Sequence, residues 1–346
     1  MRLGFACKKI SNPSQVNGLT ANDPDKRYNT GTTTVAWLNR QTKAAAEAKL
    51  YQLTVANLNA AYNLVEYVAG LEPMFRMVRL SSDILPVYTH EQWSYFYRSD
   101  KIQNLLQQRF DQIGNLARQH DVRLSFHPGQ FCVLASDRPD VVENSIAEFE
   151  YHADMARWMG YGREFQDMKI NVHISGKLGP AGFLTAYDRL SDVAKNCITI
   201  ENEEYAHGLD ACLSICDRIP VVLDIHHHWI NTGEYISPDD PRIGRVIQSW
   251  RGVRPTIHYS VSREDILTNH CAVTQPDMAT LLESDYKKAK LRAHSDFYWN
   301  TAVNEWALSH LSWADIMCES KAKNLAVQKL AKCLTLPQNQ STIALS

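Results

Sequence analysis

Six side chains able to bind a metal each close a short apolar run in this 346-residue chain. The runs are Arg-Leu-Ser-Phe-His127, Ile-Asn-Val-His173, Ile-Thr-Ile-Glu201, Val-Val-Leu-Asp224, Thr-Ile-His258 and Ile-Met-Cys-Glu319. Each run is long enough for a strand and too short for a helix. Three His and three carboxylates form a hard, mixed nitrogen and oxygen set that suits several divalent metals. Such a cluster can bridge a phosphate, activate water and stabilise a leaving oxygen. It can equally polarise a sugar carbonyl for isomerisation, and ligand types alone do not separate the two.

Each motif has a plainer alternative. His127 opens His-Pro-Gly-Gln-Phe, where Pro128 and Gly129 would serve a turn for backbone reasons alone. His173 precedes a loop containing Gly176, Gly179 and Gly182. Glu201 follows three strand-like residues, and a carboxylate there is costly to bury unless paired or metal-bound. Its neighbours Glu203 and Glu204 fit a solvated strand end better. Asp224-Ile-His-His-His228 is the strongest local signal. A His triplet alone reads as an exposed loop, but this one directly follows the most apolar strand. His258 ends its strand, while position alone would leave His294 on the surface. His120, His152, His207, His270 and His310 read as ordinary surface or satisfied core residues.

The elements needed to gather these side chains follow from the pattern. The sequence predicts strands over 2–7 and 75–80, then six more ending at His127, His173, Glu201, Asp224, His258 and Glu319. Helices are predicted over 35–69, 101–119, 139–159 and 242–250, with an inserted helix around 276–289 and a last one over 324–334. In 139–159, Val142, Ile146, Phe149, Ala153 and Ala156 recur at steps of four and three. Residues 11–34 are rich in Asn, Thr, Asp and Pro and read as a long loop. Eight strands alternating with helices imply a parallel sheet closed into a single (β/α)8 TIM barrel. The strand C-termini of such a barrel share one face, so all six ligands would converge there. The expected division is a barrel over 1–323, then a C-terminal helix and a loose polar tail over 324–346.

Hydrophobic residues make up 45 %, ordinary for a globular protein, and the formal charge is −2. No overall basic signal points to nucleic acid, so any such contact needs a local patch. The eight Cys are scattered and read as buried free thiols. Cys212 and Cys216, four apart, make a weak zinc motif. The chain shows no signal-peptide pattern and no apolar run near membrane-span length, so a cytoplasmic setting is expected.

With these residues assembled, the chain resembles the UV damage endonucleases, a DNA repair family related in fold and metal site to endonuclease IV. The resemblance runs from Arg2 to about Lys323. It rests on Arg2-Leu-Gly-Phe-Ala-Cys7, Leu124-Ser-Phe-His-Pro-Gly-Gln130, Glu201-Asn, Asp224-Ile-His-His-His228, Ile257-His-Tyr-Ser260 and Glu319-Ser-Lys, in order and at barrel spacing. It implies an ATP-independent endonuclease that nicks double-stranded DNA directly 5′ of ultraviolet photoproducts. It implies a divalent cluster of up to three ions, manganese first, with zinc and magnesium as alternatives. His127, His173 and Glu201 would hold one ion. Glu201, Asp224, His258 and Glu319 would hold a second, with Glu201 bridging, and His227 and His294 a third. His227 is preferred to its neighbours because the family spaces Asp, two residues, then His. His90 and His228 stand as ligands or as supports to ligands. Glu201, Asp224 and Glu319 are the catalytic carboxylates, and Gln130 and Phe131 match a pair that probes damaged base pairs. Phe5 and Lys9 are expected at the DNA. The implied protein is a monomer, associated with the bacterial nucleoid when bound to DNA. Two departures stand out: the family often has Tyr where Phe5 stands and Lys where Thr256 stands.

Three other readings compete. An abasic-site endonuclease resembling endonuclease IV would use the same cluster. A sugar isomerase would need fewer His than this chain offers. A non-catalytic damage or metal binder would be free to lose a ligand, yet all are present.

Overall fold

The computed structural model describes residues 1–20 and 22–334. Eight parallel strands run in the order β6-β5-β4-β3-β2-β1-β8-β7. They are β1 (Leu3–Ala6), β2 (Met77–Arg79), β3 (Arg123–Phe126), β4 (Lys169–His173), β5 (Ile198–Glu201), β6 (Val221–Val222), β7 (Thr256–Tyr259) and β8 (Asp315–Cys318). β6 meets β7 through the Asp224–His258 bridge and a 3.0 Å bond from His258 N–H to Leu223 O. The sheet is thereby closed into the expected TIM barrel.

Thirteen helices are described: α1 (Val35–Leu38), α2 (Lys43–Ala69), α3 (Asp100–Gln119), α4 (Pro139–Trp158), α5 (Gly179–Asp188), α6 (Asp192–Cys197), α7 (Leu209–Leu213), α8 (Ile225–Thr232), α9 (Pro241–Ser249), α10 (Met278–Glu283), α11 (Lys288–Leu291), α12 (Thr301–Ser309) and α13 (Lys323–Ala331). The expected helix over 35–69 is broken, because Thr42 caps α2 with a side-chain bond to Ala45 N–H. The inserted helix is two short ones, α10 and α11, separated where Asp285 takes a positive φ of 66°. The Gly-rich stretch after β4 and residues 301–309 fold as helices that periodicity alone does not reveal. The long loop over 11–34 contains two 3-10 turns, Pro13–Asn17 and Pro24–Tyr28. The last helix is tied to the segment after β1, where Asn324 exchanges two hydrogen bonds with the Ile10 backbone. The expected loose tail beyond Leu334 lies outside the described residues.

Strand alternation sorts the side chains onto two faces. Leu3, Phe5, Val78, Leu124, Phe126, Ile170, Val172, Ile198, Ile200, Ile257, Tyr259, Ile316 and Cys318 join the main core with the helices. The opposite parity points into the barrel, where Ala6, Met77 and Met317 form a small apolar cluster. Gly4 belongs to this inner set, since a Cβ there would stand 2.8 Å from Met77. Apart from Val222, whose register partner is Glu201, the other strand residues of this parity are polar. Its floor is a clamp in which Asp315 accepts from Arg123 Nη1 and Arg254 Nε, both at 2.8 Å. Above it lie Lys169, Asn171 and Thr199, all buried. Barrel interiors are usually filled by branched apolar residues. A charged column rising to one mouth is therefore the feature of this fold that demands a function.

Candidate metal centre

At the C-terminal mouth, the end residues of five strands surround Glu201. Its carboxylate is wholly buried at the end of β5, with His173 of β4 as its register partner. Oε2 lies 3.2 Å from His127 Nε2 and 4.0 Å from His173 Nε2. Oε1 lies 3.1 Å from His258 Nδ1 and 3.5 Å from His227 Nδ1. Glu319 Oε1 stands 3.4 Å from the same His258 nitrogen. Donor atoms of His127, His173 and Glu201 lie within 4.8 Å of one another, as do those of Glu201, Asp224 and His258. Glu201 belongs to both groups, which is the geometry of a bridging ligand.

Asp224 shows most directly that a cation fits. It follows β6 and caps α8, accepting from His227 N–H through Oδ1 at 2.7 Å. Its Oδ2 is buried and has no hydrogen-bond partner. His227 Nε2 stands 3.8 Å away, beyond hydrogen-bond reach; a buried carboxylate oxygen without a hydrogen bond is expensive, and a divalent ion removes that cost. The carboxylate and imidazole donors around it suit such an ion.

The electrostatics agree. Burial pushes the Asp224 carboxyl up to about 8, with Glu201 and Glu319 adding to the rise against His227. Burial also acts to raise Glu201, but His258, His173 and a hydrogen bond from His127 hold it well below the usual carboxylate range. Glu319 is held low in the same way, chiefly by Arg79. Burial would lower His227, yet Asp224, Glu201 and Glu204 bring it up to about 9. His258 is pushed down to about 4 by burial, and Lys169 adds to the drop. A neutral imidazole is the form that binds metal, so His258 is ready for an ion while His227 would give up a proton on binding one.

Helix α8 separates the His triplet. Successive residues turn by about 100° on a helix, so three neighbours face three ways. His227 faces Glu201 and braces its ring against Asn202 O at 3.0 Å. His226 stacks on Trp229 with ring centres 5.8 Å apart. His228 turns outward to Glu234 at 3.1 Å and does not face the cluster. His294 lines the site cavity with Nδ1 3.2 Å from Glu319 O, outside both tight donor groups. His90 stands in the loop after β2, where Nδ1 accepts from Gln92 N–H.

The DNA-facing expectations divide. Gln130 lines the cavity of about 460 Å³, and the neighbouring Phe131 side chain is 83 % exposed. Phe131 therefore does not pack inward. Phe5 must be corrected: it lies in the helix-facing core at 2 % exposure, because its position on β1 has the outward parity of Leu3. Lys9 is not free either, since it pairs with Asp25 at 2.6 Å and sits over the Tyr28 ring.

Three neighbours outside the ligand types, and one carboxylate expected at a solvated strand end, also belong to the site. Arg79 ends β2 and pairs with Glu319. Asn171 donates to Glu201 Oε2 and is itself oriented by Thr199 Oγ1 at 2.8 Å. Asn202 brackets Asp224 by accepting from its N–H and donating to its carbonyl. Glu204 lies in the cavity wall, 3.5 Å from His227 Nε2, not at a solvated strand end. The same strand-end rule would have marked Arg79, and the Glu201-Asn pair pointed at Asn202. Thr256 leaves no cation at its place on β7, but Lys169 reaches across from β4 to put Nζ 2.8 Å from His258 Nε2.

A family model described as UV-endonuclease UvdE matches residues 1–344. The UV DNA damage endonuclease of Bacillus velezensis is 27 % identical over 317 residues, covering 88 % of both chains. That of Bacillus mycoides is 28 % identical over 303 residues, covering 83 % of this chain and 84 % of the other. Among solved structures, SacUVDE superposes with a TM-score of 0.68 at 26 % identity, covering 97 % of this chain and 98 % of that one. Endonuclease IV from Thermus thermophilus shares the fold at a TM-score of 0.50 and 10 % identity, covering 97 % and 99 %.

Proposed function

This chain belongs to the UV-endonuclease UvdE family, and on that premise we propose that it nicks double-stranded DNA directly 5′ of ultraviolet photoproducts by metal-assisted hydrolysis, without ATP. The observation that carries the reading is Glu201 shared between two groups of donors at the barrel mouth, one partly and one wholly buried. His127, His173 and Glu201 would hold one divalent ion, and Glu201, Asp224, His258 and Glu319 a second. His227 and His294 would hold a third, and manganese is the ion we expect. When bound, such a cluster supplies Lewis-acid charge neutralisation at the phosphate and lowers the cost of activating water.

The protein's own residues do the rest. Asn171 and Asn202 hold Glu201 and Asp224 in fixed orientations, so the ligand set is preorganised. Gln130 and Phe131 follow the turn after His127 at the edge of the same cavity. An exposed apolar ring there can enter a base step, and a damaged step costs less to unstack. Gln130 can then fill hydrogen bonds vacated by displaced bases. The eight free cysteines support a cytoplasmic setting, and we take the working unit to be a monomer at the nucleoid. No described helix is long and apolar enough to cross a membrane.

The test uses supercoiled plasmid, irradiated or untreated, incubated with protein and manganese. Nicking of the irradiated form alone is expected, abolished by chelator and restored by manganese. Equal nicking of both plasmids would count against lesion recognition, and failure of manganese to restore activity would remove the metal mechanism.

A further inference from the structure

Arg79 is a cation in the wall of the site that metal binding alone does not use. On β2, Val78 faces the helices and Arg79 the lumen, so the guanidinium reaches the cavity. A guanidinium has five N–H donors. One reaches Glu319 Oε1. Nε is buried without a hydrogen-bond partner at ordinary distance, and the Cys7 thiol interacts with the guanidinium. Lys323, after β8, is near enough to feel the charges of Arg79 and Glu319, but burial lowers its own pKa. The cavity is thus divided. The ends of β3 to β7 carry imidazoles and carboxylates, whereas the end of β2 carries the Arg79 guanidinium. Among the described residues Glu319 is the carboxylate paired to Arg79, and a divalent ion would also draw on it.

We propose that Arg79 is a phosphate-binding residue of this enzyme, taking a non-bridging oxygen of the scissile phosphodiester while Nη1 stays on Glu319. The inference rests on the phosphodiester-cleaving reading above. The planar fork matches two acceptors at once, one carboxylate oxygen and one phosphate oxygen. It stays charged throughout and makes or breaks no bond. It would hold the linkage between the β2 wall and the donor cluster, and fix Glu319 against the pull of the substrate's charge.

The test compares two uncleavable duplexes, each with one photoproduct. In one, the linkage 5′ of the lesion is a methylenephosphonate, which keeps both charged non-bridging oxygens. In the other it is a neutral methylphosphonate. Dissociation constants are measured for manganese-loaded wild type, Arg79→Ala and Arg79→Lys, with metal content assayed on each. Arg79→Ala is expected to weaken binding of the charged duplex by about 10-fold or more. On the neutral duplex the change should stay within about 3-fold, since the partner is already gone. Arg79→Lys, which keeps a cation beside Glu319 but loses the fork, should retain its metal and still bind the charged duplex more weakly than wild type. If Arg79→Ala loses metal or fails to fold, Arg79→Lys decides the matter. Equal weakening on both duplexes, or no weakening on either, overturns the assignment. Wild type that fails to prefer either lesion duplex over undamaged DNA would strike the parent reading. A clear wild-type preference without coupling would strike Arg79 alone.

Discussion

Replacing Glu201 by Gln keeps the side-chain volume and removes one negative charge from the centre of the site. The fold should tolerate it. Thr199 Oγ1 fixes Asn171 by donating to its Oδ1 at 2.8 Å, so Asn171 offers its amide N–H to the Oε2 position. The glutamine carbonyl can accept that bond. Its NH2 then stands where Oε1 stood, 3.1 Å from His258 Nδ1, which accepts in one tautomer. The ligand function does not survive so well. Glu201 belongs to both donor groups, so each ion loses a charged ligand, and their separation is no longer set. Losing one preorganised electrostatic partner in a site costs about 2.7–4 kcal/mol. Two such losses predict a fall in kcat on the order of 10⁴-fold or more. The assay is single-turnover nicking of a duplex with one defined photoproduct, together with metal content and the thermal midpoint of the same preparation. Near-normal turnover in a folded variant with unchanged metal content would refute the bridging role.

Phe131→Ala should leave thermal stability unchanged, because the ring is 83 % exposed, and should weaken binding to irradiated duplex at least several-fold with little change on undamaged DNA; lost stability with normal damage binding would make the ring structural. The protein should also be acid-labile in the range where its buried histidines would have to charge. Burial brings His152, His258 and His310 down to about 4 from an ordinary value of 6.5. A base with a depressed folded pKa contributes stability above its unfolded value and loses it as the pH falls through the folded one. Burial-driven rises of Glu148 to about 7 and Asp224 to about 8 act the other way. His127, His226 and His294 are also pushed down by burial, so the histidines prevail. The thermal midpoint of the metal-stripped protein should therefore drop from pH 6.5 towards 4, and a midpoint that holds or rises would contradict this balance.

Much of this protein could be read from its chain because the informative residues end short strands. A β/α repeat forces a parallel sheet, eight repeats close it, and closure brings strand ends together whatever the helices do. That reasoning places His127, His173, Glu201, Asp224, His258 and Glu319 at one mouth with no side-chain geometry in hand. Which face each strand residue presents was another matter. Strands of a parallel barrel are covered on both sides and read as continuous apolar runs, so alternation does not announce the lumen. Phe5 and Arg79 illustrate the difficulty: strand register turns the first towards the helices and the second into the site. The His triplet needed the helix that Asp224 caps before His227 could be told from His226 and His228. Contacts between distant strands, such as Lys169 with His258, are 89 residues apart in the chain. They exist only after the barrel closes, which is why the ligands were legible in the sequence and the groups that orient them were set by the tertiary structure.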